Sequence, residues 1–410
     1  MEYRLGNLIE CIKGYAFKSK DFRSKGIPIV KVSNLNQGLI KNNNWVYLDV
    51  NMYDNFNKYQ LKEDDVVIST VGSWKNNPNS VVGKCCIIHK ENEGNLLNQN
   101  AVIVRSNTEC LSQKYLGYIL NSLKFQSYIE GCAQGSASQA SITLKDIRNY
   151  MVDIPDINIQ NKTTKILNSL DKKIELNNQI KNNLYKITSK LYEHIFVTNR
   201  SEEWKKYVLT DIANIQNGYS YKGTELVEES EIGMATIKNF DRTGGFKGDG
   251  FKPLRPLKSK DVHYAKKFDV LVACTDLTQN ADIIGNTVML LSLNGYDKVI
   301  ISMDLVKVVP KLEYVNNYML YSILSSRQFK NFALGYTSGT TVLHLNKNCF
   351  KEFSIKLPDK IEIAKFVKTV EPMYLRISEI IEENKTLEKL RDTLLSKLMN
   401  GEINLDNIEI

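Results

Sequence analysis

The strongest constraint on the fold is an internal duplication with an offset of about 204 residues. Six short stretches recur at this offset to within two residues. The clearest pairs are LGNLIECIKG (5–14) with LTDIANIQNG (209–218), LKEDDVVIST (61–70) with AKKFDVLVACT (265–275), and VVGKCCII (81–88) with IIGNTVML (283–290). A repeat of this length predicts one structural unit of about 200 residues built twice.

Both halves have the same order of elements. A short helical turn and a glycine come first, followed by short β-branched runs separated by Gly, Asn and Asp, which are typical of strands and turns. A helix, a small-residue loop and a last strand ending at Pro155 or Pro358 complete each half. We therefore predict an α+β protein with mixed α/β domains at 1–157 and 201–357.

A long amphipathic helix is predicted after each domain, at 158–200 and 358–410. Apolar residues at alternating three- and four-residue steps form one stripe on each helix. The stripes consist of Ile166, Leu170, Ile180, Leu184, Ile187 and Leu191 in the first helix, and Phe366, Val370, Met373, Ile377, Ile380, Leu387, Leu394 and Leu398 in the second. Each stripe needs a partner surface.

Two features indicate that these helices pack against each other. Asn177 and Asn384 interrupt the two stripes, and a polar residue in a helix–helix seam fixes the alignment at some cost in stability. Residues 158–200 carry 8 basic and 3 acidic side chains, whereas 358–410 carry 8 and 11. Opposite net charge favours pairing within the chain over pairing with a second copy.

The chain carries no recognisable catalytic or metal site. It has neither GxxxxGK[ST] nor GxGxxG, and it lacks the Asn/Asp-Pro-Pro-aromatic tetrapeptide of amino-methyltransferases. Its seven cysteines form no CxxC pair, and its four histidines have no metal-ligand spacing. No apolar run approaches the ~20 residues of a membrane span, so we expect a cytoplasmic protein without membrane contact.

The charge pattern points to nucleic acid. The net charge is +8, and residues 238–267, a stretch that reads as loop, hold nine basic and three acidic side chains interleaved with aromatic residues. Such a loop is a candidate for gripping phosphates and base edges, although it could also be merely solvated. The matching region, 36–57, is rich in Asn and aromatic residues instead. If both halves read DNA, they should read different sequences.

Particular strings resemble the specificity subunit of type I restriction-modification enzymes. SLDKKIELNNQI (169–180) is similar to the central helical segment of that family, and LEKLRDTLLSKLMNGEI (387–403) is similar to its C-terminal one. Gly14-Tyr15-Ala16-Phe17 and Gly218-Tyr219-Ser220-Tyr221 look like the starts of its target-recognition domains. The resemblance spans essentially the whole chain.

This resemblance implies two target-recognition domains, each reading half of a bipartite, asymmetric site in double-stranded DNA. It also implies that the long helices pack as an antiparallel coiled coil, set the spacing between half-sites and dock two modification (methyltransferase) subunits. Those subunits would bind S-adenosylmethionine and methylate adenine, and restriction/translocase subunits would use ATP and Mg. The chain itself would hold no cofactor and would not be an enzyme.

Candidate DNA contacts are polar and basic residues in loops that follow strand signals. In the first domain they are Lys18, Lys20, Arg23, Asn34, Asn36, Ser73, Trp74, Lys75, Asn76, Ser136, Ser138 and Gln139. In the second they are Tyr221, Lys222, Asn239, Arg242, Lys247, Thr275, Ser338, Thr340 and Thr341. The small-residue loops within these sets could bring backbone amides close to phosphates.

Two other functions stay open from the residues alone. The chain could be a coiled-coil scaffold whose domains bind proteins, or a self-sufficient DNA methyltransferase or nuclease with a divergent site. Purified alone, the scaffold would ignore DNA and the enzyme would modify it. A specificity subunit would act only with its partners.

Overall fold

The computed structural model describes residues 2–36, 39–40, 45–74, 82–136, 139–242, 244–278 and 280–405, with only the backbone given for residues 36 and 39. It divides into two compact units. Unit 1 comprises Met1–Lys172 and Glu388–Ile410, and unit 2 comprises Lys173–Leu387. No helix in the described part of the chain is both long and apolar enough to cross a membrane.

The elements of the first half follow the predicted order. The strands are β1 Glu2–Arg4, β2 Ile9–Lys13, β3 Ile27–Val30, β4 Leu35–Asn36, β5 Leu39–Ile40, β6 Val46–Leu48, β7 Val66–Ser69, β8 Val71–Gly72, β9 Cys85–Ile87, β10 Leu96–Leu97, β11 Ala101–Ser106, β12 Gln134–Ser136, β13 Gln139–Ser141 and β14 Met151–Asp153. The helices are α1 Gln113–Asn121, α2 Leu123–Cys132, α3 Leu144–Asn149 and α4 Ile157–Tyr192.

The second half repeats this plan. Its strands are β15 Lys205–Val208, β16 Ala213–Asn217, β17 Ile232–Ala235, β18 Lys252–Pro253, β19 Tyr264–Ala265, β20 Val270–Ala273, β21 Thr275–Asp276, β22 Thr287–Met289, β23 Lys298–Ile301, β24 Leu305–Pro310, β25 Thr337–Ser338, β26 Leu343–Leu345 and β27 Ser354–Leu357. Its helices are α5 Leu209–Ile212, α6 Asn317–Leu324, α7 Arg327–Leu334, α8 Asn348–Glu352 and α9 Lys360–Met399. A π-helical turn, Glu193–Thr198, continues α4.

The sheets confirm the duplication, since most strands of the two units correspond. Unit 1 has a four-stranded antiparallel sheet of order β2-β11-β7-β9, and unit 2 has its counterpart, β16-β24-β20-β22. The small sheets β8-β13-β12 and β21-β26-β25 also correspond, as do the pairs β1-β14 and β15-β27. A third sheet, β10-β3-β6 in unit 1 and β18-β17-β23-β19 in unit 2, completes each framework.

Each four-stranded sheet packs one face against the helices that follow it. In unit 1, Val66 and Ile68 of β7 lie in one core with Leu116 of α1 and Phe125 of α2. The core of unit 2 is built in the same way, with Val270 and Val272 of β20 against Met319 and Ile323 of α6 and Phe329 of α7. All four residues of β7 and of β20 are buried, and the alternate residues Val67 and Leu271 pack in separate clusters on the opposite face of each sheet.

The long helices pair within unit 1 through a charged and apolar contact. Lys162 Nζ donates to the Leu405 carbonyl at 2.8 Å, and Arg391 Nη1 lies 3.1 Å from Asp171 Oδ1. Early residues of α4 therefore face late residues of α9. Leu167 is fully buried in this contact. The antiparallel arrangement implied by the resemblance is confirmed here.

Within unit 2 the same two helices pair through asparagines and aromatic rings. Asn177 Nδ2 donates to Asn384 Oδ1 at 2.9 Å. Tyr192 and Phe366 lie further along, with ring centroids 6.2 Å apart, so the pairing is again antiparallel. Since both asparagines are buried and bonded to each other, the predicted alignment by Asn177 and Asn384 is confirmed.

The apolar stripe predicted for the first helix is displaced by about one residue. Ile187 is 44% exposed, whereas its neighbour Thr188 is 1% exposed. Thr188 can occupy the buried position because its hydroxyl donates to the Tyr185 carbonyl at 3.0 Å. The prediction of Ile187 as a stripe residue is therefore wrong, because a helix-bonded threonine carries its polar group into the contact at little cost.

Candidate nucleic-acid interface

The two Gly-Tyr motifs form the same close backbone approach. A Cβ on Gly14 would lie 2.1 Å from the Asn98 carbonyl oxygen, and one on Gly218 would lie 1.9 Å from that of Ser302. Only glycine fits at either point. The following tyrosine N–H groups donate to Leu97 and Ile301 at 2.9 and 2.7 Å, so both motifs hold the start of a loop tightly against the sheet.

In unit 1 this motif leads into an exposed basic turn. Lys18 directly precedes a 3₁₀ turn at Ser19–Asp21, Lys20 lies within it, and both are exposed. Arg23 is exposed as well, and its Nη1 donates to the carbonyls of Lys20 and Phe22 at 3.0 Å each. The three predicted basic residues are thus brought together on one ordered turn.

An aromatic cluster supports this turn, and sequence reasoning did not include it among the site residues. Tyr15 is 38% exposed and lies against Phe17, Phe56 and Tyr59, with ring centroids 4.8 to 5.2 Å apart. The signal was the aromatic pair in Gly14-Tyr15-Ala16-Phe17. Phe17 and Phe22, which lie on either side of the basic turn, pack in one apolar cluster and so attach the turn to these rings. Exposed aromatic rings and cationic side chains are both suited to binding nucleic acid.

Two predicted asparagines are buried and hold turns in place. Asn34 is 1% exposed and its Oδ1 accepts from the Lys31 N–H at 3.0 Å. Asn239 is fully buried, accepts from the Thr236 N–H at 2.9 Å and donates to the Lys247 carbonyl at 3.0 Å. These amides position the loops from inside and present no surface to a ligand.

The predicted small-residue loop of unit 1 lies beside the tryptophan predicted with it. Trp74 Nε1 donates to the Ser136 carbonyl at 2.7 Å. Ser136 pairs with Gln139 across β12 and β13, and both are exposed, whereas Ser73 is buried. Lys75, Asn76 and Ser138 lie outside the described residues, as does the side chain of Asn36.

The corresponding sheet of unit 2 adds a residue that sequence reasoning set aside. His344 in β26 pairs with Thr275 on one side and Ser338 on the other. His344, Ser338, Thr340 and Thr341 are exposed, and Thr275 Oγ1 donates to Asp304 at 2.9 Å. The sequence could not assign His344, because Thr275, its neighbour on one side of the sheet, lies 69 positions away in the chain.

A buried carboxylate organises the next loop of unit 2. Glu225 accepts from the Tyr219 hydroxyl at 2.6 Å and from the backbone N–H groups of Lys222 and Leu257 at 3.1 Å each. The hydrogen bond from Tyr219 is the main cause that lowers the pKa of Glu225. Lys222 is exposed and Tyr221 half-buried on the turn that this carboxylate holds.

The long basic stretch of unit 2 is not one loop, as the sequence suggested. It contains β18 and β19 and a tight hairpin closed by a bridge between Phe240 and Phe246. Gly244 and Gly245 turn the hairpin with φ of 102° and 98°. Arg242 is exposed at its tip, and Lys247 lies 3.3 Å from Asp249 just beyond it.

His263 marks a further difference between the units. Its ring centroid lies 5.3 Å from that of Tyr219, and its Nδ1 accepts from the Lys260 N–H at 3.0 Å. Burial, and then the positive charges of Lys260 and Lys307, lower its pKa below the ordinary 6.5. In unit 1, Tyr59 occupies the equivalent place, 5.2 Å from Tyr15.

The described residues contain no group of three or more His, Cys, Asp or Glu side chains placed to hold a metal ion. Exposed polar and cationic side chains lie on the loops described above in both units.

Comparison with known proteins decides the family. The model of the type I restriction modification DNA specificity domain matches residues 1–186 and again 201–389. The chain belongs to this family. It is a type I specificity subunit, a DNA-recognition subunit and not itself an enzyme.

Relatives of full length support the assignment. The type I restriction enzyme HindI specificity subunit of Haemophilus influenzae is 23% identical over 98% of this chain and 99% of its own length. The putative MjaX specificity subunit of Methanocaldococcus jannaschii is 22% identical over 97% and 92%. The crystal structure of the S subunit from M. genitalium shares the fold, with a TM-score of 0.59 and 16% identity over 97% of this chain and 95% of that one.

Proposed function

We propose that this specificity subunit reads a bipartite, asymmetric DNA site, with each unit reading one half. The observation that carries the proposal is a repeated framework with different loops. Both units repeat the four-stranded antiparallel sheet, yet unit 1 presents Lys18 and Arg23 at the turn that follows Tyr15, whereas unit 2 presents Arg242 on a hairpin. Direct readout depends on the side chains that reach base edges, so different loops predict different half-sites.

The paired helices set the spacing between the half-sites in this proposal. α4 and α9 span 36 and 40 residues, and the bonded pair Asn177–Asn384 holds their alignment within unit 2. Large apolar side chains remain exposed on them, including Leu176 at 52% and Leu390 at 45%. These outer faces are suited to docking two modification subunits, since exposed apolar residues favour a partner surface.

The chemistry belongs to the partner subunits. Modification subunits would bind S-adenosylmethionine and methylate adenine in the recognised site, and restriction subunits would use ATP and Mg for cleavage. The family assignment supports this division of labour. The chain itself would act in the cytoplasm, where DNA and these partners meet.

Mapping methylated adenines in DNA tests the proposal. Genomic DNA from cells with and without this chain should differ by one methylated motif made of two specific parts separated by a fixed nonspecific gap. A single continuous motif, or no change in methylation in the presence of the modification subunits, would contradict the proposal.

A loop variant assigns one half-site to unit 2. Changing Arg242 and Lys247 to Ala should weaken binding to one half of the motif and leave the sequence preference at the other half unchanged, because both side chains are exposed on unit 2. Each lost base contact typically costs about 1–3 kcal/mol of discrimination. The matched control changes Lys206 and Lys298, exposed lysines of the same unit, to Ala.

A further inference from the structure

A groove in unit 2 is lined by three lysines and by no acidic residue. It lies between β16 and α8 and encloses about 290 Å³. Its polar lining includes Asn214, Asn217, Lys311, Lys347 and Lys351, with Phe350 on its floor. None of these residues belongs to the predicted site.

Neutral oxygen atoms orient two of the lysines. Lys347 Nζ donates to Asn217 Oδ1 at 2.6 Å, and Lys311 Nζ donates to the Thr210 carbonyl at 2.5 Å. These partners fix the ammonium groups without neutralising them. The groove therefore concentrates positive charge, and hydrogen bonds hold two of its ammonium groups in place.

The acidic residues closest in sequence to the groove residues form hydrogen bonds with groups outside the groove. Asp211 accepts from the Val208 N–H at 3.0 Å, and Glu352 accepts from the Tyr336 hydroxyl at 2.5 Å. Among the described residues, none of the three groove lysines forms an ion pair. Like charges held together repel one another, and a bound polyanion removes that repulsion.

DNA phosphate is the anion that the surroundings favour. Asn217 directly precedes the Gly218–Tyr221 motif, and Lys347 follows His344 by three residues. The groove thus adjoins two of the loops that carry candidate base contacts. Phosphate contacts commonly position a protein beside the bases that it reads.

Unit 1 carries other residues at the positions of the groove lysines. The strand pairings place Asn107 of unit 1 at the position of Lys311, and Glu10 at that of Asn214. The helices α3 and α8 likewise place Leu144 of unit 1 at the position of Lys347. Lys13 replaces Asn217 there. Arg148, at the place of Lys351, lies close over Gly6 and donates to Cys11. The equivalent positions of unit 1 therefore hold two cations and one carboxylate, where unit 2 holds three lysines and no carboxylate.

We infer that the groove of Lys311, Lys347 and Lys351 binds the DNA phosphate backbone beside the half-site read by unit 2, independently of base sequence. The inference rests on the proposed DNA-reading function. It adds an asymmetry, because unit 1 lacks these three lysines at the equivalent positions.

The test measures salt-dependent binding by the full chain in complex with its modification subunits. The probe is a fluorescent duplex carrying the methylated motif, and Kd is measured at 50 and 200 mM salt. Each lost phosphate contact lowers the slope of log K against log salt by about 0.9. The variant Lys311→Gln, Lys347→Gln, Lys351→Gln should therefore reduce the ratio of the two Kd values by roughly 40-fold if all three contacts are lost.

A second arm locates the contact on the DNA. Neutral methylphosphonates beside the half-site of unit 2 should weaken binding by the native complex and have less effect on the triple variant. The same replacement beside the other half-site should weaken both equally. The charge-matched control, Lys206→Gln, Lys298→Gln, Lys360→Gln, should keep the native salt slope, and thermal unfolding checks that both variants fold.

The outcomes separate this inference from the proposed function. If the native complex binds DNA and the triple variant keeps its salt slope, the groove inference fails alone. An equal decrease of the salt slope in the control variant would also overturn the inference, since the loss of any three positive charges from unit 2 would then explain the effect. Unchanged DNA binding with lost modification-subunit association would overturn it in favour of an acidic protein surface. A native complex that ignores DNA would defeat the proposed function itself.

Discussion

The turns that enter β7 in unit 1 and β20 in unit 2 are equivalent in backbone and different in contacts. Asp65 accepts from Arg105 Nε and Nη2 at 2.7 Å each, in a bidentate pair. Asp269 lies 3.9 Å from Lys307, whose ammonium donates instead to the Tyr264 carbonyl. The bond to Asp65 raises the pKa of Arg105, whereas burial lowers that of Lys307.

The common features of these turns are local. Each aspartate accepts the N–H of the residue three positions earlier, Lys62 at 2.7 Å or Lys266 at 2.8 Å. The residues before them, Asp64 and Phe268, have φ of 67° and 72°. Duplication has thus preserved the backbone geometry, and the long-range partners have diverged. We expect the same division between framework and surface throughout the two units.

Loss of the aspartate should destabilise unit 1 more than unit 2. Asp65→Ala should destabilise unit 1 by about 3 kcal/mol, because the guanidinium of Arg105, only 20% exposed, loses two charge-assisted hydrogen bonds of 2.7 Å and keeps its bond to the Gln60 carbonyl. Asp269→Ala should cost unit 2 about 1 kcal/mol, since Lys307 keeps its carbonyl bond. Amide hydrogen exchange in β7 and β20 measures each unit separately. Asp249→Ala, at an exposed ion pair, is the control, and equal losses in both units would break the comparison.

A smaller effect should be shared by both units. Gly14→Ala and Gly218→Ala should each destabilise their unit by about 2 kcal/mol, because the new methyl group would meet a backbone carbonyl at 2.1 or 1.9 Å. Gly223→Ala serves as the control, because a methyl group added there would have no neighbouring atom within 4 Å. Hydrogen exchange again reports each unit, and tolerance at either glycine would show that the two approaches are not equivalent.

A weak pH dependence of stability is expected from His263 in unit 2. Because the folded-state pKa of His263 is lowered, its contribution to stability is fully present above the ordinary pKa of 6.5 and is lost as pH falls through the folded value. Protonation would also remove the Nδ1 acceptor used by Lys260. His263→Tyr, which copies Tyr59 of unit 1, should flatten this dependence when unfolding is measured between pH 7 and 5. An unchanged pH profile would exclude His263 as its source.

The sequence predicted the framework well, because the framework depends on local signals. Strands, glycine turns and the aspartate turns recur at one offset, as Gly83 and Gly285 show with φ of 77° and 74°. The prediction that Ile187 belongs to the buried stripe was wrong. The pattern of apolar residues cannot show that the Thr188 hydroxyl is hydrogen-bonded within the helix and can therefore be buried. Helical spacing fixes a face only to within about one residue.

The site was less predictable, because its parts come together only through tertiary pairing. Lys311 and Lys347 are 36 positions apart and share a groove through β24 and α8. Asn34 and Asn239 have the polarity of contact residues, yet their amides hold turns from inside. Polarity in a loop therefore does not distinguish a ligand contact from a structural bond.

The composition of unit 1 has a consequence for synthesis on the ribosome. Its buried Leu167 packs in one cluster with Leu398 and Leu405, which are translated more than 200 residues later. The apolar surface around Leu167 therefore stays uncovered while the ribosome synthesises all of unit 2. Nascent chains should need chaperone protection during that interval. A truncated product lacking residues 388–405 should aggregate through the apolar surface at the N-terminal end of α4.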